Sequence, residues 1–211
     1  MRLYLASTSP ARLATLRAAG IEPILLSSGV DEEAVSAAAG PLGAADLVQL
    51  LARAKAEAVV GSLVDGEPID GVILGGDSIF EFDGVLYGKP HQPQIARARW
   101  LAMRGRSGLL HSGHWLIDHR GGRTAGATGA VSTAGVTFAA DISDDEIDAY
   151  VATGEPLSVA GAFTIDSLGA AFISRVDGDP HAVVGLSVSL VRELLREFEI
   201  AWPTLWNRAD L

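Results

Sequence analysis

The chain has 211 residues, 48% of them hydrophobic and 20% charged, with a formal net charge of −10 and no cysteine. That size and balance support one folded core, or at most two small lobes around a cleft, and exclude a disordered chain, a disulfide framework and thiolate chemistry. The acidic surplus excludes an extended duplex-binding face and any nucleic acid polymer as partner, yet a few basic residues converging on one pocket can still bind a small anion. No apolar run approaches the roughly 18 residues of a membrane span, and the opening MRLYLASTSPAR lacks the apolar core of a signal peptide, so a cytoplasmic protein is expected.

Leu3-Tyr4-Leu5-Ala6 reads as a short buried strand. Ser9-Pro10 marks a helix start, Ser as N-cap and Pro at the first helical position, and Leu13, Leu16 and Arg17 keep helical spacing until Gly20. Ile24-Leu25-Leu26 predicts a second strand, followed by an acidic loop, Gly29 to Glu33, and a linker around Gly40 to Gly43. Leu47, Leu50, Leu51, Ala54 and Ala58 share one face of a helix predicted from about Ala45 to Val60. The apolar run Val72-Ile73-Leu74 ends at Gly75-Gly76 and delivers Asp77 at a strand tip. A hairpin turning at Asp83-Gly84 then leads to Gly88-Lys89-Pro90.

Further on, the pattern predicts a helix from about Pro93 to Met103, a strand over Leu109 to Asp118 and a hairpin within Arg120 to Gly135. Val136-Thr137-Phe138 reads as a strand, and Ser143 with Glu146 forms a capping box that opens a helix through Tyr150. A Gly-rich stretch, Val159 to Gly169, precedes a strand at Ala171-Phe172-Ile173, and Ser187 to Phe198 closes as a helix. Trp202 and Trp206 in the tail are expected to pack on the body of the fold. Strands and helices alternate without a repeat or a visible boundary, which predicts a single α/β domain with a mixed central sheet flanked by helices.

Several stretches have the residue types that chemistry needs. At Leu5 to Arg12 a strand turns into a helix, placing N–H groups, the hydroxyls of Ser7 and Ser9 and the charge of Arg12 at a helix N-terminus. That is an anion site or ordinary capping. Asp31-Glu32-Glu33 are solvated acids, or ligands of a hard divalent cation shared with Asp77. Asp77 stands where ligands bind in α/β sheets, and burying it calls for a metal, a lysine or a water to activate; otherwise it caps the hairpin. Lys89 has a plain reading as a surface lysine, and Lys55 as one that reaches past an apolar stripe to solvent. The glycines of 160–169 let a ligand approach the backbone or mark a bulged strand. Phosphate-loop, dinucleotide, His-Glu-x-x-His and Gly-x-Ser-x-Gly motifs are all absent from the sequence.

Taken together, Leu5-Ala6-Ser7-x-Ser9-Pro10-x-Arg12, Val30-Asp31-Glu32, Leu51-Ala52-x-x-Lys55-Ala56, Gly76-Asp77-Ser78 and Gly88-Lys89-Pro90 resemble the Maf family of nucleoside triphosphate pyrophosphatases. Tyr150-Val151-x-x-Gly154-Glu155-Pro156, Ala160-Gly161-x-Phe163, Gly178-Asp179 and Val184-Gly185-Leu186 continue the match in family order along most of the chain. The resemblance implies a fold shared with inosine-triphosphate pyrophosphatases and a homodimer. It implies hydrolysis of a nucleoside triphosphate to monophosphate and pyrophosphate, helped by Mg²⁺ or Mn²⁺ and directed at modified nucleotides. It also implies that Asp77 is the essential acid, that Glu32 is the family's loop acid, and that Ser7, Arg12, Lys55 and Lys89 contact the phosphates. On that footing Glu32 and Asp77 are expected to hold the metal, and the helix N-terminus at Ser9 to add positive charge and bind substrate. An acid at the position of Asp166 resembles the 7-methyl-GTP type rather than the pyrimidine type, which has glutamine. Ala11 stands where family members commonly carry an arginine. A catalytically weak nucleotide-binding regulator of cell division is the alternative that this departure keeps open.

Overall fold

The computed structural model describes residues 1–208. In chain order its elements are β1 (Leu3–Ala6), α1 (Pro10–Ala18), β2 (Ile24–Leu25), α2 (Glu32–Ala39), α3 (Ala44–Ala58), β3 (Leu63–Val64), β4 (Glu67–Pro68), β5 (Gly71–Phe82) and β6 (Val85–Tyr87). They continue with α4 (Pro93–Met103), β7 (Ser107–His119), β8 (Gly126–Phe138), α5 (Asp144–Ala152), β9 (Ile173–Asp177), α6 (Pro180–Val184) and α7 (Val188–Glu197). The fold is a mixed α/β arrangement with a central, mostly antiparallel sheet flanked by helices. Its contacts resolve into two compact units, one formed by Met1–Asp77, Ser112–Ser132 and the chain from Gly185, the other by Ser78–His111 and Thr133–Val184. Among the described residues no helix is long and apolar enough to cross a membrane.

In the first unit β1 lies in parallel between β2 and the start of β5, with Tyr4 opposite Ile24 and Leu5 opposite Leu74. Both faces of β1 and of the start of β5 are buried, so these stretches read as apolar runs rather than alternations, whereas β2 at the edge leaves Leu25 exposed. Leu3, Leu5, Val72 and Leu74 pack on one side with Leu16, Val191 and Leu195. Tyr4, Ala6 and Ile73 pack on the other with Ala56 and Val59. α1 begins where expected: the Ser9 side chain accepts from the Arg12 backbone N–H at 3.4 Å, and Pro10 fills the first turn.

Three expectations in this unit give way. β5 does not end at Gly75-Gly76; it runs unbroken for 12 residues, so Asp77 is mid-strand rather than at a tip. Gly75 is needed for a different reason: a Cβ there would lie 2.1 Å from the Ala52 carbonyl oxygen and 2.9 Å from the Ala56 Cβ. The glycine lets α3 close onto the strand. The acidic loop is cut short at Asp31, which accepts from the Ala34 N–H at 3.0 Å and caps α2, so Glu32 and Glu33 open an alanine-rich helix. In the tail Leu205 fills the core, and Trp206 is exposed rather than packed.

The second unit is built around rings. Phe80, Trp100, Phe138 and Phe163 meet edge to face, with centroids 5.0 Å apart for Phe80–Phe163 and 5.4 Å for Trp100–Phe138. β5 and β6 form the predicted hairpin, and positive φ angles at Asp83 (51°) and Gly84 (74°) match the two-residue turn such hairpins favour. The capping box at Ser143 is formed in full. Ala171-Phe172 is not a strand: Leu168–Phe172 is a 3-10 turn, and β9 starts at Ile173. The Gly169 N–H at that turn donates to the Glu155 carboxylate at 3.1 Å, outside any strand ladder.

Candidate active site

Six of the residues singled out above converge in the first unit. Ser7 leaves the end of β1, and its Oγ accepts from the Ser9 N–H at 3.2 Å and from Arg12 Nη1 at 3.0 Å. Arg12 reaches back from the first turn of α1, and its Nε donates to the Gly185 carbonyl at 2.8 Å. Gly76 on β5 makes room for that side chain, since a Cβ there would lie 3.1 Å from Arg12 Nε. Lys55, near the end of α3, puts its Nζ 2.7 Å from Asp77 Oδ1 and 2.7 Å from Glu32 Oε1. The lysine is thus buried between two acids rather than extended into solvent; only 7% of it is exposed.

The site therefore gathers two buried cations, Arg12 and Lys55, and two carboxylates, Asp77 and the more open Glu32. Burial pushes the Asp77 carboxyl above the ordinary carboxylate range, against the pull of Lys55 and Arg12. Burial likewise lowers the Arg12 guanidinium, and the charges of Asp77 and Glu32 partly offset that. Glu32 keeps half of its side chain exposed and marks the open side of the cluster. Arg12 and Lys55 bring two buried positive charges into the cluster, and Asp77 is held where its charge is costly.

Whether these residues suit a divalent cation can be judged from the donors. Glu32 Oε1 and Asp77 Oδ1 each lie 2.7 Å from the same nitrogen, so the two oxygens are within twice that distance of each other. Among the described residues no three His, Cys, Asp or Glu side chains cluster as a metal cage. Two carboxylates suit Mg²⁺, which keeps waters and takes further oxygens from substrate phosphates. With two carboxylates alone, the residues fit a cation that completes its shell with oxygens from elsewhere.

Lys89 and Asp166 belong to the second unit. Lys89 is exposed and, among the described residues, makes no ion pair. Its segment is tied down by Arg99, whose Nη1 donates to the Gly88 carbonyl at 2.5 Å while its guanidinium stacks 4.6 Å over the Tyr87 ring. Asp166 is exposed in a bend. Reading the sequence missed the supporting roles of Gly75, Gly76 and the Gly185 carbonyl. Gly185 does lie in a quoted motif, but its task is visible only once Arg12 is placed.

A mixed α/β fold carrying a buried arginine, a buried lysine and paired acids beside a helix N-terminus defines a protein built to handle a phosphorylated small molecule. The chain belongs to the Maf family: the family described as Maf-like protein matches residues 2–198. A protein of Leifsonia xyli subsp. xyli named nucleoside triphosphate pyrophosphatase is 67% identical, with 100% of this chain and 99% of that protein aligned. Proteins of the same name are 53% identical in Salinispora tropica (99% of this chain, 88% of the relative) and 48% identical in Nocardia farcinica (97% and 96%).

Proposed function

We propose that this chain hydrolyses a nucleoside triphosphate to the monophosphate and pyrophosphate. The observation that carries the reading is Asp77, buried and raised in pKa, hydrogen-bonded to Lys55 and flanked by Arg12. The name carried by the relatives agrees with it. In this mechanism Asp77 orients a water and takes its proton as the oxygen attacks the α-phosphorus. The bond from that phosphorus to the bridging oxygen breaks, and pyrophosphate leaves. Arg12, Lys55 and Lys89, with the hydroxyls of Ser7 and Ser9, neutralise the charge that develops on the phosphate oxygens; such electrostatic stabilisation dominates phosphoryl transfer. Glu32 and Asp77 would hold Mg²⁺ or Mn²⁺, which when bound supplies further positive charge and lowers the pKa of water.

For the base, we assign Asp166 as the reader. A carboxylate only accepts hydrogen bonds, so it suits the N–H groups of a guanine edge and disfavours the carbonyl of uracil or thymine. That supports a 7-methyl-GTP-like purine over dTTP or UTP. A homodimer completes the proposal and would be read by sedimentation.

The test is pyrophosphate release with Mg²⁺ or Mn²⁺ across a panel of nucleotides. Release from at least one, with purines ahead, is the expected result. Binding without release from any nucleotide would replace the enzyme with a nucleotide-sensing regulator. Inorganic phosphate as product would point to another class of phosphate ester.

A further inference from the structure

Glu155 takes no part in the chemistry above, yet its carboxylate accepts five hydrogen bonds. Its Oε1 accepts from Tyr150 Oη at 2.9 Å, Thr164 Oγ1 at 2.5 Å and the Gly169 N–H at 3.1 Å. Its Oε2 accepts from Ser167 Oγ at 2.7 Å and the Leu168 N–H at 3.3 Å. Four of these five donors belong to one short segment, 164–169, and they bracket Asp166 on both sides. The segment is closed tightly, because a Cβ at Gly169 would lie 2.6 Å from Tyr150 Oη and 2.7 Å from the Thr164 carbonyl oxygen. Just upstream, Ala162 has a left-handed φ of 67°, unusual without a glycine, and its carbonyl accepts from the buried indole N–H of Trp100 at 2.7 Å. The bend carrying Asp166 is thus tied at its foot by Trp100 and across its neck by Glu155, with the Asp166 side chain left exposed at its tip.

We propose that Glu155 is a positioning residue for nucleotide selectivity: it locks the 164–169 bend so that Asp166 is presented to the base in one orientation. This rests on the reading of Asp166 as the residue that meets the base. The role needs an ionised carboxylate. Five donors point inward, and a carboxylate offers two oxygens with about four lone pairs, whereas an amide offers one acceptor oxygen and turns two donors of its own into the ring. A glutamine at 155 would set its NH₂ against one or more of the inward-pointing N–H groups. The hydrogen bonds also hold Glu155 ionised: burial pushes its carboxyl up, but the donors outweigh this and bring it down to about 2.

The experiment compares wild type with Glu155→Gln, alone and in an Asp166→Ala background, using kcat/KM for 7-methyl-GTP against UTP. Amide hydrogen exchange is followed at Leu168 and Gly169. Ile147→Val, a core change in the same unit, calibrates a loss of stability that leaves the bend alone. We expect Glu155→Gln to lower the purine-to-pyrimidine ratio about tenfold, chiefly through KM, and to deprotect both amides. In the Asp166→Ala background the same change should leave the ratio where it is, since its effect passes through Asp166. Ile147→Val should preserve the ratio. An unchanged ratio in Glu155→Gln despite lost protection overturns the proposal, and so does an equal change with and without Asp166. If wild type releases no pyrophosphate, the proposed activity fails by itself. The same ratio is then read from dissociation constants of the α,β-methylene analogues, and constants unaffected by Glu155→Gln overturn the lock. Should Glu155→Gln not fold, Tyr150→Phe and Ser167→Ala each remove one donor and should lower the ratio in smaller steps; ratios equal to wild type in both overturn it as well.

Discussion

Asp77 and Glu155 are both partly enclosed carboxylates with donors at hydrogen-bond distance, yet their surroundings drive them in opposite directions. Asp77 sits mid-strand with 13% of its side chain exposed; burial raises its pKa, even though Lys55 is 2.7 Å away and Arg12 adds attraction. Around Glu155 the donors are neutral hydroxyls and backbone N–H groups, and their number brings the carboxyl down to about 2. Deep burial keeps the Asp77 charge costly in spite of its two cationic neighbours, while at the less enclosed Glu155 the many neutral donors outweigh the cost of burial. The first arrangement is the one the proposed chemistry calls on; the second ties a piece of chain down through five hydrogen bonds.

The largest effect should come from Asp77→Asn. Turnover is expected to fall by at least about a thousandfold, since the proposed proton acceptor and metal ligand are both lost. In metal-free buffer the melting temperature should hold or rise, because the neutral amide no longer bears the cost of a buried charge and Lys55 keeps Glu32 as partner. Thermal unfolding followed by circular dichroism checks this. A drop of several degrees would break the contrast, by showing that Asp77 stabilises the fold as Glu155 does.

Lys55→Met tests the same cluster from the other side. The change leaves Asp77 and Glu32 facing each other without the cation between them, and breaking a buried pair in this way costs about 3–5 kcal/mol. Urea unfolding should show that loss, and kcat should fall about 10²–10³-fold as a charge-stabilising group disappears. Gly75→Ala should be nearly as damaging to stability, ~3 kcal/mol, though it touches no charge. Its methyl would meet the Ala52 carbonyl and push α3, with Lys55 on it, away from β5. If Gly75→Ala keeps full activity, Lys55 does not depend on that close approach.

Local rules in the sequence carried the elements whose causes are local. Ser9-Pro10, Asp83-Gly84 and the Ser143–Glu146 box each specify a cap or a turn by their own hydrogen bonds or φ angles, and each is formed. The failures are tertiary in origin. Gly75-Gly76 reads as punctuation because glycine at a strand end and glycine beneath a helix are the same letter; only α3 and Arg12 distinguish them. Asp31 was legible as an acid but not as a cap, since the acidic run masked the alanine-rich helix behind it. The cluster of Ser7, Arg12, Glu32, Lys55 and Asp77 was legible only through motif resemblance, because spacing along the chain left Lys55 as an ordinary surface lysine. Glu155 was visible as a motif letter without a task, for its donors come from as far as 14 residues downstream.

The smallest effect is a slope, and it separates the two carboxylates by sign. Glu155 has its folded pKa lowered to about 2 from the ordinary 4.5, so the native state binds its proton less readily than the unfolded chain. The stability it contributes is complete above the unfolded value and drains away as pH falls through the window between 4.5 and 2. Asp77 is raised from 3.8, so its contribution has the opposite slope: it is present at low pH and is lost as the pH climbs through its folded value. Urea midpoints measured in metal-free buffer from about pH 5.5 down to about pH 2.5 should therefore show wild type converging on Glu155→Gln as acid is added. Over the same range wild type should gain relative to Asp77→Asn. Parallel lines for wild type and Glu155→Gln would mean that the five donors do not depend on charge, and the lock would then work with a neutral acceptor. Parallel lines for Asp77→Asn would place the Asp77 carboxyl in the ordinary range, removing the cost that distinguishes it from Glu155.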